Sequence, residues 1–374
     1  MGNHFNRIFQ LFLKHFMSSA STALSPEESQ LLSEIEQLKK QNAMLISEIV
    51  KRNVSDIIKA HLPSALNGEG LFSDDSKNEI KRIKTASIID FSYLLEGLDM
   101  KNLKLFSLWD FSNGTDLSNM LLRCQALESL LGADNWDVSK VLVFSMLFGE
   151  CSSLEDITAV IHWNVANGIE FAYVFYECSS LKRITALCYW NVSKGEDFTG
   201  MFCGCKSLIG LEGLEDWDVS NGLGLIDTFK DCESITNIMP LSKWNLSKVC
   251  RLYGTFSGCK SLRNIEGARY WDVSNVTDFQ SLFAGCPIES FEPISGWNVS
   301  KGISFKYMFS DCNATDIIPL ANWSVPSGFN VKWMFIQEFE DLKTGTLPAG
   351  ITEDQIKWLN QHIGRHRVSH KMNY

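Results

Sequence analysis

Proline is scarce in this chain, at 8 of 374 residues, and charged residues make up only 21%. With 45% hydrophobic residues beside them, the composition is that of a folded soluble protein rather than a low-complexity one. Positive charge is also in deficit. The formal net charge is -10, which argues against a nucleic-acid-binding face as the main role. Long apolar runs are missing. The amino-terminal apolar stretch, Phe5 to Phe16, is interrupted by Gln10 and Lys14 and is too short to cross a bilayer. Histidine is rare as well, with His162 alone among the repeated segments described next. No Gly-x-Ser-x-Gly, phosphate-binding loop or paired-carboxylate pattern is present, so no catalytic residue, cofactor or metal site is expected.

What is present is a period. Trp109, Trp136, Trp163, Trp190, Trp217, Trp244 and Trp271 are 27 residues apart, and Trp297 and Trp323 follow at intervals of 26. A fixed spacing of this size marks stacked copies of one supersecondary unit. Each tryptophan is followed by an Asp or Asn and then usually a Val, as in Trp136-Asp137-Val138. That alternation predicts a short strand with the apolar pair inward. Phe144, Leu147, Phe148 and Cys151 recur as Phe198, Met201, Phe202 and Cys205. Their i, i+3, i+4, i+7 spacing predicts a helix of two to three turns, with the serine three after the tryptophan as its cap. The fold class expected is therefore an α/β repeat solenoid with coils of 26–27 residues, each a short strand plus a short helix.

Eight cysteines, Cys124, Cys151, Cys178, Cys205, Cys232, Cys259, Cys286 and Cys312, each lie 15 residues after a tryptophan. Elements repeated with the core are most simply core elements. Coils about 4.8 Å apart permit disulfides along the ladder, but equivalent rungs give no unique pairing. Reduced, buried thiols in a reducing compartment are the favoured reading. Cys203 and Cys205 lack a neighbouring histidine or second pair for zinc.

Five segments are expected. Residues 1–24 form a hydrophobic and basic leader, read as a membrane-surface helix, as a poor signal sequence, or as a segment packing on something nearby. Residues 25–60 form a coiled-coil helix. Leu31, Leu38 and Leu45 fall on d and Ile35, Asn42 and Ile49 on a, a pattern for a parallel homodimer with Asn42 setting register. Residues 61–84 are a linker and lead-in, residues 85–335 the solenoid, and residues 336–374 a capping helix with a basic tail.

The phrases Trp271-Asp272-Val273-Ser274-Asn275-Val276-Thr277-Asp278 and Met201-Phe202-Cys203-Gly204-Cys205-Lys206-Ser207-Leu208 resemble the BspA-like leucine-rich-repeat family over about Leu94 to Phe335. That family is known from bacterial and mycoplasma surfaces, with similar arrays in protists and large viruses. The resemblance implies leucine-rich-repeat-like coils acting in adhesion or protein binding, with no catalytic residues. This chain departs from the surface members in having no lipoprotein cysteine near its start and a heptad segment in front. The expected function is a non-enzymatic interaction scaffold or adaptor, intracellular and cytoplasmic, with an unidentified protein partner. The alternative is a secreted or surface-attached adhesin. The candidate binding face is the column Asp110, Asp137, Asn164, Asn191, Asp218, Asn245, Asp272 and Asn298, together with the variable position before each tryptophan. A calcium ladder on that column is weighed against Asp and Asn side chains simply bonding nearby backbone turns, and the latter is favoured.

Overall fold

The computed structural model describes residues 26–61, 80, 83–325, 329, 331–336, 347 and 351–363. The expected leader 1–24, most of the linker and the basic tail after 363 lie outside the described residues.

Successive repeats stack as coils, and each coil starts from its tryptophan. The indole is 3–5% exposed in the interior coils, and it is hydrogen-bonded as well as buried. Trp163 Nε1 donates to the carbonyl of Ala133, the residue three before the preceding tryptophan, at 2.9 Å. Trp190 does the same to Val160 at 3.0 Å and Trp217 to Leu187 at 3.0 Å. That carbonyl already closes its own turn, as Trp136 N donates to Ala133 O. Both lone pairs are thus used. The rings stack, with Trp163 and Trp190 6.2 Å apart and 5° from parallel. Two phenylalanine columns run beside them, for example Phe171 on Phe198 at 5.7 Å and Phe202 on Phe229 at 5.5 Å. Each such aromatic pair contributes about 0.5–1.5 kcal/mol beyond its burial.

The strand-plus-helix coil is not found. Among the described residues no strand belongs to a sheet. Isolated parallel bridges join position seven after the tryptophan to its equivalent, running from Asp90 through Asp116, Val143, Glu170, Asp197, Gly224, Arg251 and Asp278 to Ser304, and two more join Ser129 to Asp156 and Asn237 to Asn264. The segment read as a helix is a ribbon of overlapping β-turns. Leu147 N bonds Phe144 O, Gly149 N bonds Met146 O and Cys151 N bonds Phe148 O, while the intervening amides of Phe144, Met146, Phe148 and Glu150 reach Glu170, Ala172, Val174 and Tyr176 in the next coil. The cause is backbone conformation. The residues ten and fourteen after each tryptophan from Trp109 to Trp297 have positive φ, as at Met146 (55°), Glu150 (58°), Tyr173 (59°) and Glu177 (54°). A left-handed residue every fourth position ends any α-helical run and suits the third position of a type II turn. The serine after Asp137-Val138 therefore caps no helix.

Short 3-10 segments precede several tryptophans: Thr158–Val160, Thr185–Tyr189, Met239–Leu241, Glu266–Tyr270, Glu292–Ile294 and Ile318–Asn322. Their three-residue turn matches the three-residue apolar steps of Leu154, Ile157 and Val160.

The coiled coil is likewise corrected. Helix α1 (Pro26–His61) is one of two named α-helices among the described residues, and Leu38, Leu45 and Ile49 of the expected seam are 55%, 56% and 53% exposed. Asn42 is exposed and Ile35 half-buried; the side chain of Leu31 lies outside the described residues. The helix buries a different face, carrying Ser47, Val54 and Ile58, against the first coil. Ile89 N donates to Ser47 Oγ at 2.8 Å, and Lys51 Nζ meets Asp90 at 3.1 Å. The apolar positions of this second face, set by Val50, Val54 and Ile58, dock α1 as a lid on the stack. At the other end, α2 (Glu353–His362) starts from a Thr352/Gln355 capping box. It buries Ile356 and Leu359.

Candidate recognition face

The Asp/Asn column is exposed throughout, and every Oδ1 has a local task. Asp137 accepts the N–H of Ser139 at 3.0 Å, Asn191 that of Ser193 at 3.1 Å, and Asp272 that of Ser274 at 3.0 Å. Asp110, Asn164, Asp218, Asn245 and Asn298 repeat the bond to the residue two later. These are Asx turns. Bonds from the serine side chain and N–H hold the Asp137, Asp218 and Asp272 carboxyls below their ordinary range. The column serves the turn after each tryptophan, and among the described residues no three His, Cys, Asp or Glu side chains gather as metal ligands.

The cysteine column is a second structural device. Cys151 Sγ donates to Leu121 O at 3.2 Å, Cys178 to Phe148 O at 3.1 Å and Cys232 to Phe202 O at 3.1 Å. Each uses the spare lone pair of a carbonyl that already closes a turn, the same logic as the indoles. The cysteines are free. Burial pushes the thiol of Cys205 well up, and those of Cys203 and Cys312 to about 12.

What remains exposed and variable is the residue before each tryptophan: Leu108, Asn135, His162, Tyr189, Asp216, Lys243 and Tyr270. Tyr189 and Tyr270 are 69% and 72% exposed. His162 lies on Tyr189 with ring centres 6.3 Å apart, and Lys243 meets Asp216 at 3.4 Å. Sequence reasoning missed the turn-ribbon face. There Tyr173 and Tyr176 pack edge to face at 5.6 Å. Asp227 Oδ1 is buried with no hydrogen bond, packed against the Gly254 backbone with Lys230 Nζ 4.0 Å away. Burial holds the Asp227 carboxyl above its ordinary range. The signal for this face was visible as Gly200, Gly204, Gly254 and Gly258, glycines four apart inside a presumed helix. A cleft of about 750 Å³ also opens between α1 and the first coil, lined by Glu48, Arg52, Asp56, Tyr93 and Glu96 among others.

The repeat unit is shared with known sequences. The family described as "Mycoplasma protein of unknown function, DUF285" matches three times in tandem, over residues 67–186, 182–287 and 250–344. The chain belongs to the DUF285 family. Its membership establishes a tandem-repeat protein and leaves the activity of the DUF285 repeats open. No curated protein and no solved structure matches the chain.

Proposed function

We propose that the chain is a non-enzymatic protein-interaction scaffold that displays variable side chains on a repeating frame. The observation that carries this reading is the division of labour within each coil. Tryptophan, cysteine and the Asp/Asn residue are all consumed by bonds that build the coil or join it to its neighbour. The position before each tryptophan is left to vary in charge, size and aromaticity at one place per coil. Exposed tyrosines such as Tyr189 and Tyr270 supply rigid contact area at low entropic cost, and hot spots of protein interfaces favour that residue. The resemblance of the repeat phrases to BspA-like proteins, read as adhesion or protein binding, points the same way. Seven repeat thiols, Cys124 through Cys286, acting as hydrogen-bond donors support a reducing, intracellular setting, since oxidation in pairs would remove those donors.

The test is affinity capture on the full chain from native cell lysate, beside the variant His162→Ala/Tyr189→Ala/Tyr270→Ser. A discrete partner held by the wild type and lost by the variant, at unchanged Tm, supports the scaffold. A partner retained equally by the variant moves recognition off this face. Capture of nothing from lysate, with retention on intact cell surfaces, favours the adhesin.

A further inference from the structure

Two alternations run through the coils. At the fourth residue after each tryptophan the chain reads Asn113, Lys140, Asn167, Lys194, Asn221, Lys248, Asn275 and Lys301. Each asparagine bridges its neighbours. Asn167 Nδ2 donates back to Ser139 O at 2.8 Å, Asn221 to Ser193 O at 2.6 Å and Asn275 to Ser247 O at 2.6 Å. The asparagine Oδ1 then accepts from the lysine of the following coil. Lys140 bonds Asn113 at 2.8 Å, Lys194 bonds Asn167 at 2.7 Å and Lys248 bonds Asn221 at 2.7 Å, with Lys301 on Asn275 likewise.

The second alternation lies on the turn ribbon of the middle coils. Tyr173 and Glu177 are followed one coil later by Gly200 and Gly204, then Asp227 and Asp231, then Gly254 and Gly258. The large side chains of one coil lie on the glycines of the next. A Cβ on Gly204 would come within 2.6 Å of the Glu177 carboxyl carbon, and one on Gly200, Gly254 or Gly258 would run into Tyr173, Asp227 or Asp231.

We infer that the structural unit of the central coils is a pair of coils, and that the pairing specifies which of these coils stacks on which. The tryptophan, phenylalanine and cysteine columns cannot do this, because they fit any coil to any other. A chain of near-identical repeats can skip one coil and still bury the same apolar columns, which is the misassembly typical of repeat proteins. Skipping one coil at the centre sets Glu177 against Asp231, Tyr173 against Asp227 and Asn167 against Asn221. Like charges repel, and two large residues meet where one large and one small are needed. Skipping two coils restores every pairing.

Two deletions in the full chain test this. Removing 191–217 takes out one coil and juxtaposes the mismatched residues. Removing 191–244 takes out two and sets Asn167, Tyr173 and Glu177 against Lys248, Gly254 and Gly258. The inference expects the larger deletion to melt several degrees above the smaller one, although it loses twice as many residues. In the smaller deletion Asp227→Gly/Asp231→Gly puts glycines back under Tyr173 and Glu177, and it should raise Tm there by more than the same pair does in the full chain. If the smaller deletion yields no folded protein, recovery by Asp227→Gly/Asp231→Gly supports the pairing and failure to recover overturns it. A smaller deletion as stable as the larger one, or an equal effect of the glycine pair in both backgrounds, also overturns it.

Discussion

Replacing Gly200 by alanine isolates the two demands of the turn ribbon. Gly200 has φ +57°, and its missing side chain makes room for the Tyr173 ring. Alanine in the left-handed region costs about 1–2 kcal/mol. Overpacking against a held ring adds about 1–3 kcal/mol, so Gly200→Ala is expected to lose about 2–5 kcal/mol in all. Gly285 is the control. It has φ +72°, but the nearest atom to an added Cβ is Gly258 Cα at 3.5 Å, an ordinary contact. Gly285→Ala therefore carries the backbone cost alone, about 1–2 kcal/mol. The difference belongs to Tyr173, and the double variant Gly200→Ala/Tyr173→Ala should show a coupling of about 1–3 kcal/mol. Urea denaturation followed by tryptophan fluorescence reads the wild type, Gly200→Ala, Gly285→Ala, Tyr173→Ala and the double variant. Equal losses at Gly200 and Gly285, or absent coupling, would refute the reasoning.

Trp217→Phe removes the bond to Leu187 O, which keeps its bond from Trp190 N. The hydrogen-bond loss is about 0.5–1.5 kcal/mol, whereas Trp217→Ala costs about 3–5 kcal/mol; thermal denaturation separates them. In native protein at neutral pH, alkylation followed by mass spectrometry should mark the exposed Cys188 first and leave Cys178, Cys205 and Cys232 unmodified until unfolding. These thiols keep protons that the unfolded chain releases near about pH 8.5. The folded state then binds more protons, and stability falls as pH rises beyond that point. Acid has a smaller effect of the other kind. The Asp137, Asp218 and Asp272 carboxyls are held down in the fold, so their contribution is present above about pH 4 and fades as pH falls through their lowered values. Tm between neutral pH and about pH 3 reads it. Substituting all three by asparagine, which keeps the Asx turn, should flatten that slope.

Repeat boundaries and the inward and outward sides of each coil were legible because tryptophan, valine and cysteine keep one phase. The helix in each coil was misread for a definite reason. Positions eight, eleven, twelve and fifteen share a helical face, but a ribbon of overlapping turns brings Phe144, Leu147, Phe148 and Cys151 to the same side. Periodicity of apolar residues reports which side chains share a face, not the φ of the residues between them. Glycines at 200, 204, 254 and 258 carried that information, yet Met146, Glu150, Tyr173 and Glu177 hid it by adopting the same conformation without glycine. The heptad misled similarly, because Leu38, Leu45 and Ile49 were weighed without the competing face of Val50, Val54 and Ile58. The Asp/Asn column was correctly placed on the surface. Its role in Asx turns depends on a bond to a residue two later that any sequence of this kind permits.

The most direct measurement of the account is the backbone conformation at Met146, Glu150, Tyr173 and Glu177. Three-bond amide couplings and amide exchange by NMR give it in the intact chain. The turn ribbon predicts positive φ at all four, with the Phe144, Met146 and Phe148 amides protected by Glu170, Ala172 and Val174 of the next coil. Helical φ at these residues, with amides protected by carbonyls four residues earlier in the same coil, would contradict it.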